Sequence, residues 1–328
     1  MLLHAWSFTS RKVAKSRGPL LCASRTLVTC TTIAQLRSEL KARKAEKNET
    51  ISLIPTMGAL HAGHISLVNE AKRYAKEKQE KSCIVTSIFV NATQFAANED
   101  LSTYPRTIEK DRDALIEAGV DVLFLPEHET MYPDKRGIVH VEPSGLDQSM
   151  EALARPSFFR GVATIVTKLF NIVQPDSVYF GQKDAGQCVL IRNLVQDLNM
   201  PIDVVIVDTL RENDGLAMSS RNGYLTGGER AVADILYKAL SSGKNLFNKG
   251  CTDPTEIAKA VREILGREPM VARVEYISLA SPMDMKEIGE SDKVEVEGAI
   301  LSSAIKLGNV RLIDNVLLGQ AESWTQRR

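Results

Sequence analysis

Short apolar runs alternate with stretches of helical spacing through the first two thirds of this chain. The apolar runs, rich in β-branched residues, occupy residues 51–55, 82–90, 120–125, 177–180 and 202–207. Helical spacing of apolar or charged side chains marks the stretches between them, residues 64–78, 108–118, 162–173 and 185–198. This alternation predicts an α/β fold, a Rossmann-like doubly wound parallel sheet with right-handed crossovers. Because the runs are almost continuously apolar, both faces of the sheet should be covered.

The pattern changes after Arg221. Two helical stretches are followed by three strand-like runs, in the order 229–246, 254–265, 274–279, 299–305 and 310–314. The alternation is lost, which predicts a second, smaller α+β domain with antiparallel strands. We therefore expect four segments: an N-terminal extension at 1–30, the α/β domain at 31–209, the smaller domain at 210–318 and a tail at 319–328.

Composition excludes several classes of partner. The 328 residues carry 41 basic and 41 acidic side chains, so net charge gives no case for nucleic acid or an acidic membrane as the main partner. No apolar stretch reaches the roughly 20 residues that a membrane helix needs. The five cysteines are scattered and never spaced as CxxC, which argues against a disulfide framework or a zinc site and favours a reducing compartment.

The N-terminal segment has an unusual charge distribution. No acidic residue precedes Glu39, whereas arginines and lysines with several serines and threonines occur from Arg11 onward. This composition is typical of a mitochondrial presequence, although a disordered tail of no consequence is the alternative. We expect a cytoplasmic or mitochondrial location.

Two histidines with a glycine between them follow the first apolar run. In an open parallel sheet, ligands bind beyond the carboxyl ends of the strands. His61 and His64 would lie there at the start of a helix, where free N–H groups and the helix dipole attract phosphate. Gly58 and Gly63 would let the backbone approach a ligand closely. The alternative is that one histidine caps the helix and the other is exposed, but the HxGH spacing in this context favours a nucleotide site.

Polar clusters also follow two later strands. Met218-Ser219-Ser220-Arg221 offers two hydroxyls and a guanidinium to a triphosphate, with an ordinary polar linker as the alternative. The segment Gly181-Gln182-Lys183-Asp184 offers a cation for phosphate and a carboxylate for ribose hydroxyls. It is equally a strand-to-helix turn in which Asp184 is the N-cap, and both interpretations can hold.

Neutral amides follow the second apolar run. Asn91 and Gln94 suit a hydroxylated carboxylate, whereas an Asx-type turn is the simpler interpretation of the pair taken alone. No serine or cysteine nucleophile with a histidine–acid pair is evident.

Several motifs in this order resemble the pantothenate synthetase family, also called the pantoate–β-alanine ligases. They are IPTMGALHAGH (54–64), FVN (89–91) with QF (94–95), YPRT (104–107), RP (155–156) with FRGV (159–162), GQKD (181–184), the segment 214–222 and RLIDN (311–315). HxGH alone marks a large nucleotidyltransferase superfamily, but the combined set is specific. The resemblance extends from about residue 33 to residue 315.

The resemblance implies an enzyme that condenses pantoate with β-alanine, using ATP and Mg²⁺. It implies a pantoyl adenylate intermediate, release of pyrophosphate and AMP, and a homodimer. His64 would be the proton donor, with His61 and Lys183 also catalytic. ATP would be bound by Met57, Gly58, His61, His64, Gly181, Gln182, Lys183, Asp184, Leu210, Met218, Ser219, Ser220 and Arg221. Gln94 and Gln187, with Asn91 nearby, would hold pantoate or β-alanine, and Asp100 lies in a segment associated with the metal.

The chain departs from the family pattern at four positions. Ala92 replaces a proline, Gln182 a glutamate, Gly186 a glutamine and Phe158 a histidine. Two other functions remain open: another HxGH nucleotidyltransferase, such as a cytidylyltransferase, and a non-catalytic nucleotide-binding homologue. A class I aminoacyl-tRNA synthetase is a weaker rival, because the chain is short and neutral.

Overall fold

The computed structural model describes residues 26–96, 99–133 and 137–324. The proposed presequence lies almost entirely outside these residues, so targeting stays a prediction. Within the described residues, no helix is both long enough and apolar enough to cross a membrane.

Six parallel strands form the first sheet, in the spatial order β1-β4-β3-β2-β5-β6. Every pairing in this sheet is parallel, and the longest register pairs Thr50 to Thr56 with Ser82 to Ile88. The strands are β1 (Val28–Cys30), β2 (Thr50–Thr56), β3 (Ser82–Ile88), β4 (Val122–Phe124), β5 (Ser177–Gly181) and β6 (Asp203–Val207). This confirms the predicted α/β class.

Helices connect these strands and cover both faces of the sheet. They are α1 (Ile33–Lys47), α2 (Ala62–Glu77), α3 (Ile108–Glu117), α4 (His128–Met131), α5 (Met150–Ala154), α6 (Phe158–Val173) and α7 (Ala185–Asp197). Short 3₁₀ turns span Ala92–Gln94 and Ser144–Leu146. Side chains of β2 point alternately into two separate apolar clusters, with Leu53 in one and Ile54 in the other. The sheet is therefore buried on both faces, as its composition predicted.

The second sheet is antiparallel and has three strands in the order β7-β8-β9. Its strands are β7 (Val271–Ala280), β8 (Ala299–Leu307) and β9 (Val310–Leu318). The 3₁₀ turn Ser220–Tyr224 and three helices precede them in the chain: α8 (Gly227–Val232), α9 (Ile235–Asn248) and α10 (Pro254–Leu265). One face packs on α9 and α10. Gly243 permits this packing, because a Cβ there would lie 2.7 Å from Leu301 Cδ2. The smaller α+β unit is confirmed, whereas its boundary at residue 210 stays a prediction.

The limits of the four predicted segments stay predictions, but the structure differs from the sequence pattern at three places. The extension was placed at 1–30, but Val28–Cys30 pairs with β4, and a three-residue strand is too short to show a pattern. The tail was placed at 319–328, but Gly319–Trp324 is a 3₁₀ helix whose Ala321 is buried in the first core. The helix predicted at 229–246 is interrupted between α8 and α9. The break could not be predicted, because the apolar spacing in the sequence continues across it.

Candidate active site

A cavity of about 1110 Å³ opens where the carboxyl ends of the parallel strands face the second sheet. Residues following β2, β3, β5 and β6 line it, together with residues of β7 and β9. Nearly all of the predicted site residues line this one cavity: Met57, His61, His64, Asn91, Gln94, Asp100, Gly181, Lys183, Asp184, Gln187, Leu210, Met218, Ser219, Ser220 and Arg221.

Gly58 and Gln182 do not line this cavity. Gly58 has a φ of +84°, a left-handed conformation that favours glycine, and it faces a smaller cavity beside Ile88 and Asp111. The Gln182 side chain is buried and donates to Asn315 Oδ1 at 2.9 Å. Its amide is therefore used within the protein, which argues against the predicted side-chain contact with ATP.

His61 and His64 stand together at the start of α2, with ring centroids 4.1 Å apart. His61 is the N-cap, and its Nδ1 accepts from the Gly63 amide at 3.1 Å. His64 Nδ1 accepts from the His61 amide at 3.3 Å. Since each Nδ1 is an acceptor, each neutral ring carries its proton on Nε2. A Cβ at Gly63 would lie 2.8 Å from the His61 ring, so glycine is required for this packing.

Both imidazoles are neutral in the free protein. Burial, followed by the charge of Lys183, lowers the pKa of His61 to about 4. Burial, His61 and Lys183 together lower the pKa of His64 to about 3. The rings can therefore donate Nε2–H hydrogen bonds near pH 7. This argues against a charged His64 acting as the proton donor before an anionic ligand binds.

The first-turn amides of α2 are less available than the sequence suggested. Gly63 donates to the His61 ring, and the amides of His64 and Ile65 donate to the His61 carbonyl. The helix dipole still favours an anion at this end, but the imidazoles are the better-placed donors.

Lys183 supplies a cation directly after β5. Its ammonium lies 3.5 Å from Asp184 Oδ1, and the two side chains are 20% and 47% exposed. This is the only ion pair that the described residues give to Lys183, and the spacing is loose. The ammonium is therefore available to an anion that enters the cavity.

The loop bearing Met218 to Arg221 is held by residues from the opposite wall. The Arg221 guanidinium donates to both Asp100 oxygens, at 3.0 and 2.7 Å, and Ser220 Oγ lies 3.3 Å from the Tyr104 hydroxyl. Ser219 accepts from the Arg221 amide at 3.2 Å, which fixes the turn. Arg221 and Asp100, predicted as a phosphate contact and a metal residue, are thus bound to each other.

The amides after β3 divide between support and recognition. Asn91 is buried, and its amide donates to Gln94 Oε1 at 3.1 Å and to the Gly161 carbonyl at 3.2 Å. Its Oδ1 accepts from Thr93 and Tyr132, so its hydrogen-bonding capacity is filled. Gln94 keeps one free N–H besides its contact with Met57 Sδ. Asn91 therefore orients the Gln94 side chain. Of the two amides, Gln94 is the better candidate for a contact with the ligand.

Comparison with known proteins points to one family. Residues 28–317 match the family model described as pantoate-beta-alanine ligase. A pantothenate synthetase of Chloroflexus aurantiacus is 46% identical over 287 residues, covering 88% of this chain and 96% of the relative.

Two solved structures share the fold. The pantothenate synthetase of Thermus thermophilus has a TM-score of 0.78 and 40% identity, covering 88% of this chain and 99% of that chain. The pantoate-beta-alanine ligase of Francisella tularensis, complexed with beta-gamma ATP and beta-alanine, has a TM-score of 0.69 and 32% identity, covering 89% and 98%. This chain belongs to the pantoate–β-alanine ligase family. The resemblance seen in the sequence is confirmed, and the protein is a ligase.

Two of the predicted departures from the family pattern, at residues 158 and 186, adjoin Phe159. Phe158 lies over the Arg155 guanidinium at 3.8 Å and lines the cavity. A Cβ at Gly186 would lie 2.8 Å from Phe159 Cζ, so the aromatic ring occupies the space that a side chain at 186 would need. Phe159 thus lies between the two positions, with its ring 5.2 Å from that of Phe158.

Sequence reasoning missed several residues that shape this ligase site. Buried Asp111 accepts from the amides of Ala59 and Leu60 at 3.0 and 2.8 Å, which fixes the turn before His61. Arg155 donates to Glu99 Oε2 at 2.8 Å and to the Gln94 carbonyl at 3.2 Å. Asp111 gave no signal, since it sits in a charged helix, whereas Arg155 was noted within a family motif without a role.

Proposed function

We propose that this ligase condenses (R)-pantoate with β-alanine to form pantothenate, with ATP converted to AMP and pyrophosphate through a pantoyl adenylate. The observation that carries the proposal is the cavity itself. Two neutral imidazoles, a lysine, an arginine and neutral amides all line it. Support comes from the Francisella tularensis relative, which is complexed with beta-gamma ATP and beta-alanine.

The first step brings one anion to another. A pantoate carboxylate oxygen attacks the α-phosphorus, and the bond to the pyrophosphate oxygen breaks. Negative charge grows on the bridging and terminal oxygens, where preorganised donors stabilise the transition state most. The Nε2–H groups of His61 and His64 and the Lys183 ammonium are suited to this task. Arg221 can join them when the phosphates replace Asp100 as its partner.

The side-chain amides of Gln94 and Gln187 are the groups that would bind pantoate. Gln94 has one N–H to offer, and the side chain of Gln187 lines the cavity without a hydrogen bond to another described residue. Amides can hold a hydroxyl and a carboxylate without adding charge. Phe89, Val162 and Val166 form an apolar wall beside them. This wall would cover the methyl groups of pantoate and shield an acyl adenylate from water.

In the second step the neutral β-alanine amine attacks the acyl carbon, and AMP leaves with the carboxylate oxygen that had joined to phosphorus. The nitrogen loses one proton to solvent as the amide forms. The protein needs no covalent nucleophile for either step. Its contribution is to hold the reactants in line and to stabilise the leaving phosphate.

The residues of the cavity fit a Mg²⁺ ion carried by the phosphates of ATP. Within the described residues, no three His, Cys, Asp or Glu side chains are grouped as a metal site. Mg²⁺ typically binds substrate phosphates and only one or two carboxylates. Asp184 is a half-exposed carboxylate that lines the cavity, whereas both oxygens of Asp100 accept from Arg221. Asp184 therefore fits better than Asp100, and the ion would neutralise phosphate charge.

A homodimer is also part of the proposal. Ile138 and Val139 are 75% and 83% exposed, and these adjacent apolar side chains would be covered by a partner subunit. The substrates remain small molecules: pantoate, β-alanine and ATP.

An assay of AMP release on the full chain tests this function. ATP, Mg²⁺, pantoate and β-alanine are supplied together, and each is then omitted in turn. AMP should form only when all are present and should be lost in His64→Ala. His140→Ala serves as the matched control, because His140 is exposed and does not line the cavity. ATP binding without turnover would instead identify a non-catalytic homologue, and AMP transfer to a phosphorylated alcohol would identify another nucleotidyltransferase.

A further inference from the structure

The side chain of Asn315 joins the second sheet to the turn that bears Lys183. Its Nδ2 donates to the carbonyl oxygens of Gln182 and Lys183, at 2.9 and 3.0 Å. Its Oδ1 accepts from Gln182 Nε2 at 2.9 Å. Asn315 is 1% exposed and Gln182 8%, so these bonds are sheltered from water. The main chain on both sides of Lys183 is thus held by a residue of β9.

The neighbouring residue Asp314 anchors the other phosphate-facing loop. Its carboxylate accepts two hydrogen bonds from Arg211, at 2.6 and 3.0 Å. Arg211 also donates to the Gly215 carbonyl at 3.1 Å, and its guanidinium lies 3.8 Å from the Tyr237 ring centroid. The segment that leads into Met218–Arg221 is therefore fixed on β9 as well.

Adjacent residues of β9 thus support both cation-bearing segments. Among the described residues, Asp184 at 3.5 Å is the only ion-pair partner of the Lys183 side chain, so the position of the ammonium depends mainly on the Lys183 backbone. Asn315 does not line the cavity, and it can act on a ligand only through other residues. Charge-assisted and buried hydrogen bonds of this kind fix geometry well, because a lost partner leaves a buried polar group unsatisfied.

We infer that Asn315 and Asp314 are positioning residues for the adenylation step. They set the separation between the turn at 181–184 and the loop at 218–221, so that Lys183 and Arg221 meet the same triphosphate. This inference rests on the proposed function. A displacement of about 1 Å at a reacting centre costs on the order of 100-fold in rate, so loss of the Asn315 amide should be costly.

The first test compares Asn315→Ala with Asn193→Ala. Asn193 is a matched control, because its amide also donates to two carbonyls, those of Val189 and Met283, but neither belongs to the turn at 181–184 or to the loop at 218–221. Asn315→Ala should lower kcat/KM for ATP on the order of 10- to 100-fold while KM for β-alanine stays within about twofold. Asn193→Ala should lower the melting temperature without changing kcat/KM for ATP. Equal effects on ATP and β-alanine would overturn the inference.

A double-mutant cycle separates positioning from general destabilisation. In a Lys183→Ala background, the further change Asn315→Ala should cost less than about threefold, because the group that Asn315 positions is already gone. Full additivity would overturn the inference. If Asn315→Ala does not fold, Gln182→Met removes the opposite amide with little change in volume, and the same non-additivity is expected.

Direct titration with ATP keeps this inference apart from the proposed function, since binding needs no turnover. The Kd for ATP should rise about 10-fold or more in Asn315→Ala and stay unchanged in Asn193→Ala. Equal affinities would overturn the positioning role and leave the ligase reaction untouched. If the wild-type chain forms no AMP yet the variant still binds ATP more weakly, the reaction is wrong and the positioning of the phosphate site stands.

Discussion

Replacing His64 with glutamine or asparagine distinguishes a neutral hydrogen-bond donor from an acid. His64 Nδ1 accepts from the His61 amide at 3.3 Å, so the proton of the neutral ring lies on Nε2. Burial, then His61 and Lys183, lowers the pKa of His64 to about 3. At pH 7 the neutral form of the free protein therefore exceeds the charged form by roughly 10⁴-fold.

The glutamine amide can reach the position of the imidazole Nε2, whereas the asparagine amide reaches only that of Nδ1. His64→Gln should therefore keep a donor facing the phosphates. His64→Asn should lose it, with a fall in kcat on the order of 10²- to 10³-fold, the usual cost of one transition-state donor. Steady-state AMP release at saturating pantoate and β-alanine measures both variants, and thermal melting shows whether each remains folded.

The pH dependence decides between the two roles. Because kcat/KM reports ionisations of the free enzyme and free substrate, the ionisation of ATP contributes equally to wild type and His64→Gln. The kcat/KM for ATP of the wild type divided by that of His64→Gln should stay constant within about twofold from pH 5.5 to 8. A ratio that falls as pH rises through 6 to 7 would show that a protonated His64 is required, and it would refute the neutral-donor reasoning.

Four further predictions concern the same cavity. Gly161→Ala would place a Cβ against the Thr93 carbonyl and 2.8 Å from the main-chain nitrogen of Gln94. The free energy of unfolding should fall by about 1–3 kcal/mol and KM for pantoate should rise, whereas Gly145→Ala, with open space around it, should change neither in urea titrations and kinetics. Lys183→Met should lower kcat on the order of 10²- to 10³-fold with an unchanged melting temperature. Removing Mg²⁺ with a chelator should abolish AMP release, and excess Mg²⁺ should restore it; activity without a divalent ion would contradict the metal proposal. Burial lowers the pKa values of His61 and His64 in the folded protein below the ordinary value of 6.5. The free energy of unfolding is therefore highest above pH 6.5 and declines as the pH falls toward 4, by about 2 kcal/mol per histidine at pH 5. His64→Gln should show a smaller loss of urea resistance between pH 7.5 and 5.

Local signals in the sequence predicted most of the regular structure. The helix predicted at 254–265 is α10 (Pro254–Leu265), because Asp253 caps its start, Pro254 suits its first turn and Gly266 follows its end. The buried strands were recognisable since parallel strands covered on both faces are continuously apolar. The clusters expected beyond β2, β3 and β5 do meet in one cavity, which follows from the geometry of a parallel sheet.

Contacts between distant segments could not be predicted in the same way. Asp100 was assigned to a metal, but the fold places it against Arg221, which is 121 positions away in the chain. Asn315 reaches Gln182 across 133 positions, and only the docking of the second sheet creates that contact. No local periodicity encodes such pairs, because side-chain partners of this kind depend on tertiary packing.

Transfer of an oxygen isotope from pantoate to AMP tests the central proposal most directly. Pantoate labelled with ¹⁸O in its carboxylate is incubated with the full chain, ATP, Mg²⁺ and β-alanine, and the nucleotide products are analysed by mass spectrometry. If the carboxylate attacks the α-phosphorus, one labelled oxygen should appear in AMP for each pantothenate formed, and the pyrophosphate should be unlabelled. Unlabelled AMP, or label in inorganic phosphate formed together with ADP, would contradict the adenylate route.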